Sequence, residues 1–226
     1  MPIITQAYFD YFKDLAQNNS SEWFHANKKR YEKDVKEPFM TLVEAVVASL
    51  SDTEPDLSLT PVKSMMFRIN RDIRFSKDKR PYKENLAASI SRGGTKDKTS
   101  PGHYFHLGIG ENFLAGGCYW FEEKETLYRV RNFIAQHPER FSQLLENKDF
   151  KAKWGTIKGE KNKRIPPDFA EDVKIQPLIM NTQFYWGASL SNDVVLSDNF
   201  VEILRGFWLA AQPMNVFLRE AMYQTL

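Results

Sequence analysis

The feature that most constrains the fold is a change in the spacing of apolar residues along the chain. In the middle of the chain they recur at every second position, whereas on both sides they recur at helical spacing. A period of two is typical of strands that bury one face. The turn at Gly110-Glu111 separates two such segments and predicts a hairpin. We expect a mainly antiparallel sheet that includes four segments, residues 64–69, 86–91, 103–109 and 112–119.

Helical patterns flank this block on both sides. Residues 5–16 carry an apolar face, and a second apolar stripe follows from Phe24 to Leu50. Asn19, with Glu22 three positions later, resembles a capping box that would begin this second helix. Towards the end of the chain, residues 200–222 predict a helical tail that is interrupted at Pro213, because proline lacks the backbone donor.

The order of these patterns predicts the fold class. Strands that pair with their neighbours in sequence, with helices before and after them, indicate an α+β protein with helices packed on an antiparallel sheet. The chain shows no internal repeat and no linker long enough to separate domains. We therefore expect a single α+β domain over residues 1–226.

The counts of cysteine and histidine restrict the chemistry. One cysteine, Cys118, rules out an intramolecular disulfide and a cysteine-based zinc site. Of the four histidines, His103 and His106 lie closest together, but residues three apart on a strand face opposite sides. We expect no metal site, and the sequence identifies no cofactor.

The distribution of apolar residues also bears on location. The first residues lack the basic segment and apolar core of a secretory signal. No stretch reaches the roughly 18 uninterrupted apolar residues of a membrane span. We expect a cytoplasmic protein that has no membrane partner, and the sequence does not indicate its oligomeric state.

The charge is distributed unevenly. The whole chain carries a net charge of +2. Between Lys63 and Lys83, eight basic residues accompany two acidic ones, so this segment carries +6, and the remaining 23 basic and 27 acidic residues carry −4. A local basic block on a mildly acidic chain indicates a site, whereas a general nucleic-acid-binding domain usually has a pI above about 9.

Most of the candidate ligand-binding residues lie in this basic block. Guanidinium groups pair with carboxylate or phosphate oxygens, and lysines add point charges. Such groups suit an anion, a phosphate ester or a nucleic-acid backbone. The set comprises Arg68, Asn70, Arg71, Asp72, Arg74, Ser76, Lys77, Lys79, Tyr82, Lys83 and, from a later strand, His106. No residue is assigned a catalytic role.

A purely structural interpretation of the same residues remains open. Asp72 lies between Arg71 and Arg74, and Asp78 lies between Lys77 and Lys79. Ion pairs of this kind often hold a long loop against a domain, and clustered charges occur at structural networks as well as at ligand sites.

The basic block also carries a family resemblance. The run Arg71–Lys79, followed by Pro81-Tyr82-Lys83, resembles the family known as domain of unknown function 2461. Arg80, where such sequences more often have a small hydroxyl residue, and Trp120 depart from the pattern, and Arg80 adds a positive charge. The resemblance implies a shared fold and a site centred on this motif, but it implies no activity. It extends over most of the chain through Asn18-Asn19, Trp23-Phe24, Tyr104 and Gly116-Gly117.

Three functional hypotheses follow. The first is a binding module that holds a small phosphate- or carboxylate-bearing ligand. The second is an enzyme that uses the same pocket, with Asp72 or His106 as acid or base and the arginines stabilising developing charge. The third is a nucleic-acid or protein interaction domain that uses the basic loop, a partner that the sequence favours less than a small anion.

Overall fold

The computed structural model describes residues 1–97, 100–164 and 166–224. Its helices are α1 Gln6–Gln17, α2 Ser21–Ala26, α3 Lys28–Tyr31, α4 Glu37–Ser49, α5 Val62–Met65, α6 Lys124–Gln136, α7 Pro138–Leu145, α8 Lys148–Trp154, α9 Asp172–Ile175, α10 Asn192–Val195 and α11 Phe200–Tyr223. Its strands are β1 Asn85–Ile90, β2 Gly102–Gly108, β3 Asn112–Cys118 and β4 Phe184–Leu190. Short 3₁₀ turns and one π-helical turn, Glu32–Lys36, complete the described elements.

The strands form one antiparallel sheet in the order β1-β2-β3-β4, so each strand pairs with its neighbour in sequence. Burial alternates along β2 and β3, as the spacing of apolar residues predicted. Three of the predicted strands are confirmed, and the α+β class with an antiparallel sheet and helices at both ends is confirmed as well.

The predicted strand at residues 64–69 is wrong. Pro61 precedes a helical turn, α5, in which the backbone N–H of Ser64 donates to the Pro61 carbonyl. In the segment that follows, residues 66–70, two isolated pairs form, Met66 with Ala88 and Asn70 with Tyr82. Between these two pairs, the chain advances four residues on one side, from Met66 to Asn70, and six on the other, from Tyr82 to Ala88. The pairing register therefore shifts by two residues. A shift of this kind interrupts the hydrogen-bond ladder, so no continuous strand forms.

Two predictions about helix ends also need correction. The side chain that caps α2 is Ser20, which accepts from the backbone N–H of Trp23, and Asn19 is not the cap. Helix α11 continues through Pro213 without interruption. One lost hydrogen bond is outweighed there by buried side chains on both sides of the proline, such as Ala211 and Phe217.

The backbone groups into two compact units, and the expectation of a single domain stays a prediction. The first unit comprises Met1–Lys96, Tyr104–Leu114 and Ser189–Arg205, and the second comprises Asp97–His103, Ala115–Ala188 and Gly206–Leu226. In the first unit, the ring of Phe39 lies 6.4 Å from that of Tyr8 and 5.3 Å from that of Phe105. The Tyr8 hydroxyl donates to the Leu107 carbonyl at 3.0 Å, which joins α1 to β2.

The core of the second unit is also aromatic. Phe217 lies 4.9 Å from Phe133, and Trp186 lies 5.2 Å from Phe150, measured between ring centroids. Gly116 of β3 packs against the Trp186 ring so closely that a β-carbon there would lie 2.5 Å from its Nε1 atom. Among the described residues, no helix has both the length and the apolar character needed to cross a membrane.

Candidate functional site

The basic motif folds into a two-armed ribbon in the first unit. We define the basic ribbon as residues 66–88 and its tip as residues 71–80. The backbone N–H of Arg71 donates to the Pro81 carbonyl, and the N–H of Lys83 donates to the Ile69 carbonyl, both at 2.8 Å. These two hydrogen bonds join the arms next to the tip, so the backbone that carries the charged residues is held in place.

Asn19 attaches the ribbon to the N-terminal helices. Its amide nitrogen donates to the Tyr82 carbonyl and its amide oxygen accepts from the Tyr82 N–H, each at 3.1 Å. The buried Tyr82 ring stacks on Phe24 with the ring centroids 4.1 Å apart. Tyr82, which was predicted to bind ligand, is only 5% exposed, and its ring and backbone contacts anchor the ribbon.

The tip is held together by its own ion pairs. Arg71 donates to the Asp78 carboxylate at 2.7 Å, and Arg80 pairs with the same carboxylate at 2.8 Å. Hydrogen bonds from Arg80 and then from Arg71 hold the pKa of Asp78 well below its usual range. Arg74 binds Asp72 through two nitrogens, at 3.0 and 2.7 Å, and lowers the pKa of that carboxyl.

Four cations of the ribbon form no ion pair with a carboxylate among the residues that the structure describes, although the charge of one of them, Arg68, lowers the pKa of Asp72. The ribbon contains seven basic and three acidic residues, and the acids Asp72, Asp78 and Glu84 bind only Arg71, Arg74 and Arg80. The Lys79 ammonium donates instead to the Ile73 carbonyl, and that of Lys83 donates to the Arg68 carbonyl, both at 3.0 Å. The four are Arg68, Lys77, Lys79 and Lys83.

Lys83 lies beside an aromatic ring at the base of the ribbon, and its ammonium donates to the Arg68 carbonyl. The half-buried Lys83 ammonium lies 5.6 Å from the centre of the Phe67 ring, which lies 6.0 Å from the Tyr104 ring. Burial lowers the pKa of Lys83, and the charge of Arg68 lowers it further. A negative group beside a partly buried lysine stabilises the charged form of that lysine.

Tyr104 and His106 complete this group, which we call the Lys83 cluster: Phe67, Arg68, Lys83, Tyr104 and His106. The Tyr104 hydroxyl lies 3.1 Å from Nδ1 of His106, two residues along the same strand. Burial raises the pKa of Tyr104. Burial also lowers the pKa of His106, and the Glu111 carboxylate offsets this in part. Both side chains are therefore held in their neutral forms near pH 7.

The structure divides the residues predicted to form the site. Arg68, Lys83 and His106 belong to the Lys83 cluster. Arg71, Asp72 and Arg74 form ion pairs within the tip. Asn70, Ser76 and Lys77 form no side-chain hydrogen bond or ion pair with the described residues. His103 is buried and His106 half-buried, so they face opposite sides as expected. No three His, Cys, Asp or Glu side chains among the described residues are clustered closely enough to hold a metal ion.

Phe67 and Tyr104 are the members of the cluster that the sequence-based site set lacks. Tyr104 lies on β2 between the buried residues His103 and Phe105, so the alternation along this strand places it on the same face as His106. That signal was present in the sequence. Phe67 could not be found in the same way, because the segment that carries it does not form the predicted strand.

The fold and the cluster define an α+β protein with a cation-rich ribbon beside a half-buried tyrosine–histidine pair. The chain belongs to the family described as Conserved hypothetical protein (DUF2461), whose model matches residues 7–217. No curated protein and no solved structure matches the chain.

Proposed function

We propose that this protein binds a small anionic ligand, through a phosphate or carboxylate group, at the Lys83 cluster. The observation that carries the proposal is that two cations, Arg68 and Lys83, are neighbours at the base of the ribbon. The Lys83 ammonium donates to the Arg68 carbonyl at 3.0 Å, and the charge of Arg68 lowers the pKa of Lys83. Neither cation forms an ion pair with a carboxylate of the described residues, although the charge of Arg68 also lowers the pKa of Asp72.

An anion would relieve an unfavourable arrangement of charge. Two neighbouring cations repel each other, and burial removes part of the water that would screen Lys83. A phosphate or carboxylate oxygen placed between them gains charge-assisted hydrogen bonds from both, while the planar Arg68 guanidinium can offer two parallel donors. The exposed Arg68 side chain is accessible to a ligand from solvent.

The ion pairs of the tip support this site indirectly. Arg71, Asp78 and Arg80 hold the two arms of the ribbon together, and Asn19 holds the ribbon against α2. In this proposal, the structural interpretation and the ligand-binding interpretation apply to different residues of one motif. The ion pairs of the tip have a structural role, whereas Arg68 and Lys83 bind the ligand.

An enzyme acting on the same ligand is the second candidate function. The contact between the Tyr104 hydroxyl and Nδ1 of His106 favours it, because an oriented neutral imidazole can accept a proton. Of the two acid–base candidates, His106 fits better than Asp72, because Arg74 keeps the pKa of Asp72 low and its carboxylate ionised. Loss of turnover on phosphate monoesters in His106→Gln, with ligand binding retained, would support this candidate.

Calorimetric titration with inorganic phosphate and with malonate tests the binding proposal. One charged hydrogen bond contributes about 1.5–3 kcal/mol, so Arg68→Ala and Lys83→Met should each weaken binding by roughly 10- to 150-fold. Methionine retains most of the apolar stem of Lys83, so packing beside Phe67 is preserved.

Lys33→Met is the matched control, because Lys33 is an exposed lysine of the same unit. It should bind both anions as the wild type does. The proposal fails if neither anion binds the wild-type protein, or if Arg68→Ala and Lys83→Met bind with unchanged affinity.

A further inference from the structure

The tip of the basic ribbon carries a second arrangement that the proposed anion site does not use. Phe75 is 95% exposed, although most large apolar side chains of the chain are buried. A single exposed apolar residue is common on protein surfaces and indicates nothing alone. Here, however, the Arg74 guanidinium lies 5.8 Å from the centre of the Phe75 ring.

Asp72 holds one of these two flat groups, the Arg74 guanidinium. Its carboxylate accepts two hydrogen bonds from the Arg74 guanidinium, at 3.0 and 2.7 Å, and a third from the Arg74 backbone N–H, at 3.2 Å. The ion pair offsets the charge of Arg74 and holds its guanidinium group within 5.8 Å of the centre of the Phe75 ring. Arg74 and Phe75 therefore form an exposed platform, and a planar group can stack on the Phe75 ring.

The charge of the tip is complementary to an anionic chain. Its ten residues include five basic and two acidic side chains, which gives a net charge of +3. Lys77 is exposed and has no carboxylate partner among the described residues, and the exposed Lys79 contacts only the Ile73 carbonyl. These two cations follow Phe75 in the chain, two and four residues later.

We infer that the tip binds single-stranded nucleic acid, with a base stacked on Phe75 and backbone phosphates contacting Lys77 and Lys79. Aromatic rings with interspersed cations suit single strands, because each base offers a flat face and each linkage a charge. A duplex hides its base faces in its own stack. A membrane is less favoured, because the tip offers one exposed phenyl ring and Ile73 is half-buried. This inference does not rest on ligand binding at the Lys83 cluster.

Fluorescence anisotropy with labelled oligothymidine tests this inference on the full chain at low salt. Loss of one base–aromatic stack should make Phe75→Ala bind about 5- to 150-fold more weakly, whereas Phe75→Trp should retain binding. Lys77→Ala should reduce the slope of log K against log salt by about 0.7, the contribution of one phosphate contact on a single strand.

Two exposed residues of the same unit serve as controls. Leu59→Ala removes an 81% exposed apolar side chain, and Lys33→Ala removes an exposed lysine, and neither should change the affinity. A melting temperature equal to that of the wild type will verify that each variant is folded.

Three results would overturn the inference. The first is the absence of oligothymidine binding at low salt. The second is an equal affinity of wild type and Phe75→Ala, which would mean a charge contact without stacking. The third is a preference for duplex DNA, or for phosphatidylserine-containing vesicles, over the single strand. Arg68→Ala with Lys83→Met should leave the loss caused by Phe75→Ala unchanged, which separates this surface from the Lys83 cluster.

Discussion

The attachment of the basic ribbon through Asn19 gives the most direct stability prediction. Asn19→Ala removes both side-chain contacts with the Tyr82 backbone, which are 3.1 Å long. Tyr82 is 5% exposed, so its N–H and carbonyl would be left largely without water. Each unsatisfied buried group costs about 1–3 kcal/mol, and with partial hydration the sum should be about 2–4 kcal/mol.

Urea unfolding followed by circular dichroism measures this loss. We expect the free energy of unfolding to fall by about 2–4 kcal/mol and the melting temperature by roughly 4–16 °C for a chain of this size. Asn19→Asp should be intermediate, because its carboxylate still accepts from the Tyr82 N–H but repels the Tyr82 carbonyl.

Asn18→Ala is the matched control for Asn19→Ala. Among the described residues, the Asn18 amide donates only to the Asp14 carbonyl, at an exposed helix end, so its loss should cost about 0.5 kcal/mol. If Asn19→Ala and Asn18→Ala have the same stability, Asn19 does not hold the ribbon and the description of Tyr82 as an anchor is refuted.

Two further predictions concern packing and pH. Gly116→Ala should lower the free energy of unfolding by about 1–3 kcal/mol in thermal or urea melts, because its β-carbon would overlap the Trp186 ring. Gly110→Ala is the control and should be neutral, because the space around Gly110 is open. Equal stability of the two variants would contradict this packing. The pKa of His106 in the folded protein should lie below the unfolded value of about 6.5, so the unfolded state binds more protons and stability should fall as pH decreases below about 6.5. An NMR titration midpoint above that value, or an unchanged pH dependence of stability in His106→Gln, would refute this assignment.

The strands that could be predicted from the sequence are those with local and regular signals. In β2 and β3, every second residue is buried, so the alternation of side chains was sufficient. The segment at residues 64–69 has the same alternation, but its pairing register changes between Met66 and Asn70. No local pattern reports a register shift, because the shift depends on the partner residues 82–88.

Long-range contacts explain the other differences. Asn19 has the residue type and position of a helix cap, yet its side chain contacts Tyr82, 63 positions later in the chain. Asp72 pairs with Arg74, its neighbour in the structural interpretation of the sequence. Asp78 pairs with Arg71 and Arg80, and not with its neighbours Lys77 and Lys79. Which cations remained without a carboxylate could be read only from the folded ribbon.

The central claim is that Arg68 and Lys83 together bind an anion, and the titration of Lys83 tests it most directly. The ¹³Cε signal of Lys83, identified by its absence in Lys83→Met, reports the protonation of the ammonium group. In the free protein, the pKa of Lys83 should lie below the ordinary lysine value of about 10.4, because of burial and the charge of Arg68. A bound anion stabilises the charged ammonium, so inorganic phosphate should raise this pKa in the wild type and have little effect on it in Arg68→Ala. A pKa of Lys83 that does not change with phosphate would contradict the account.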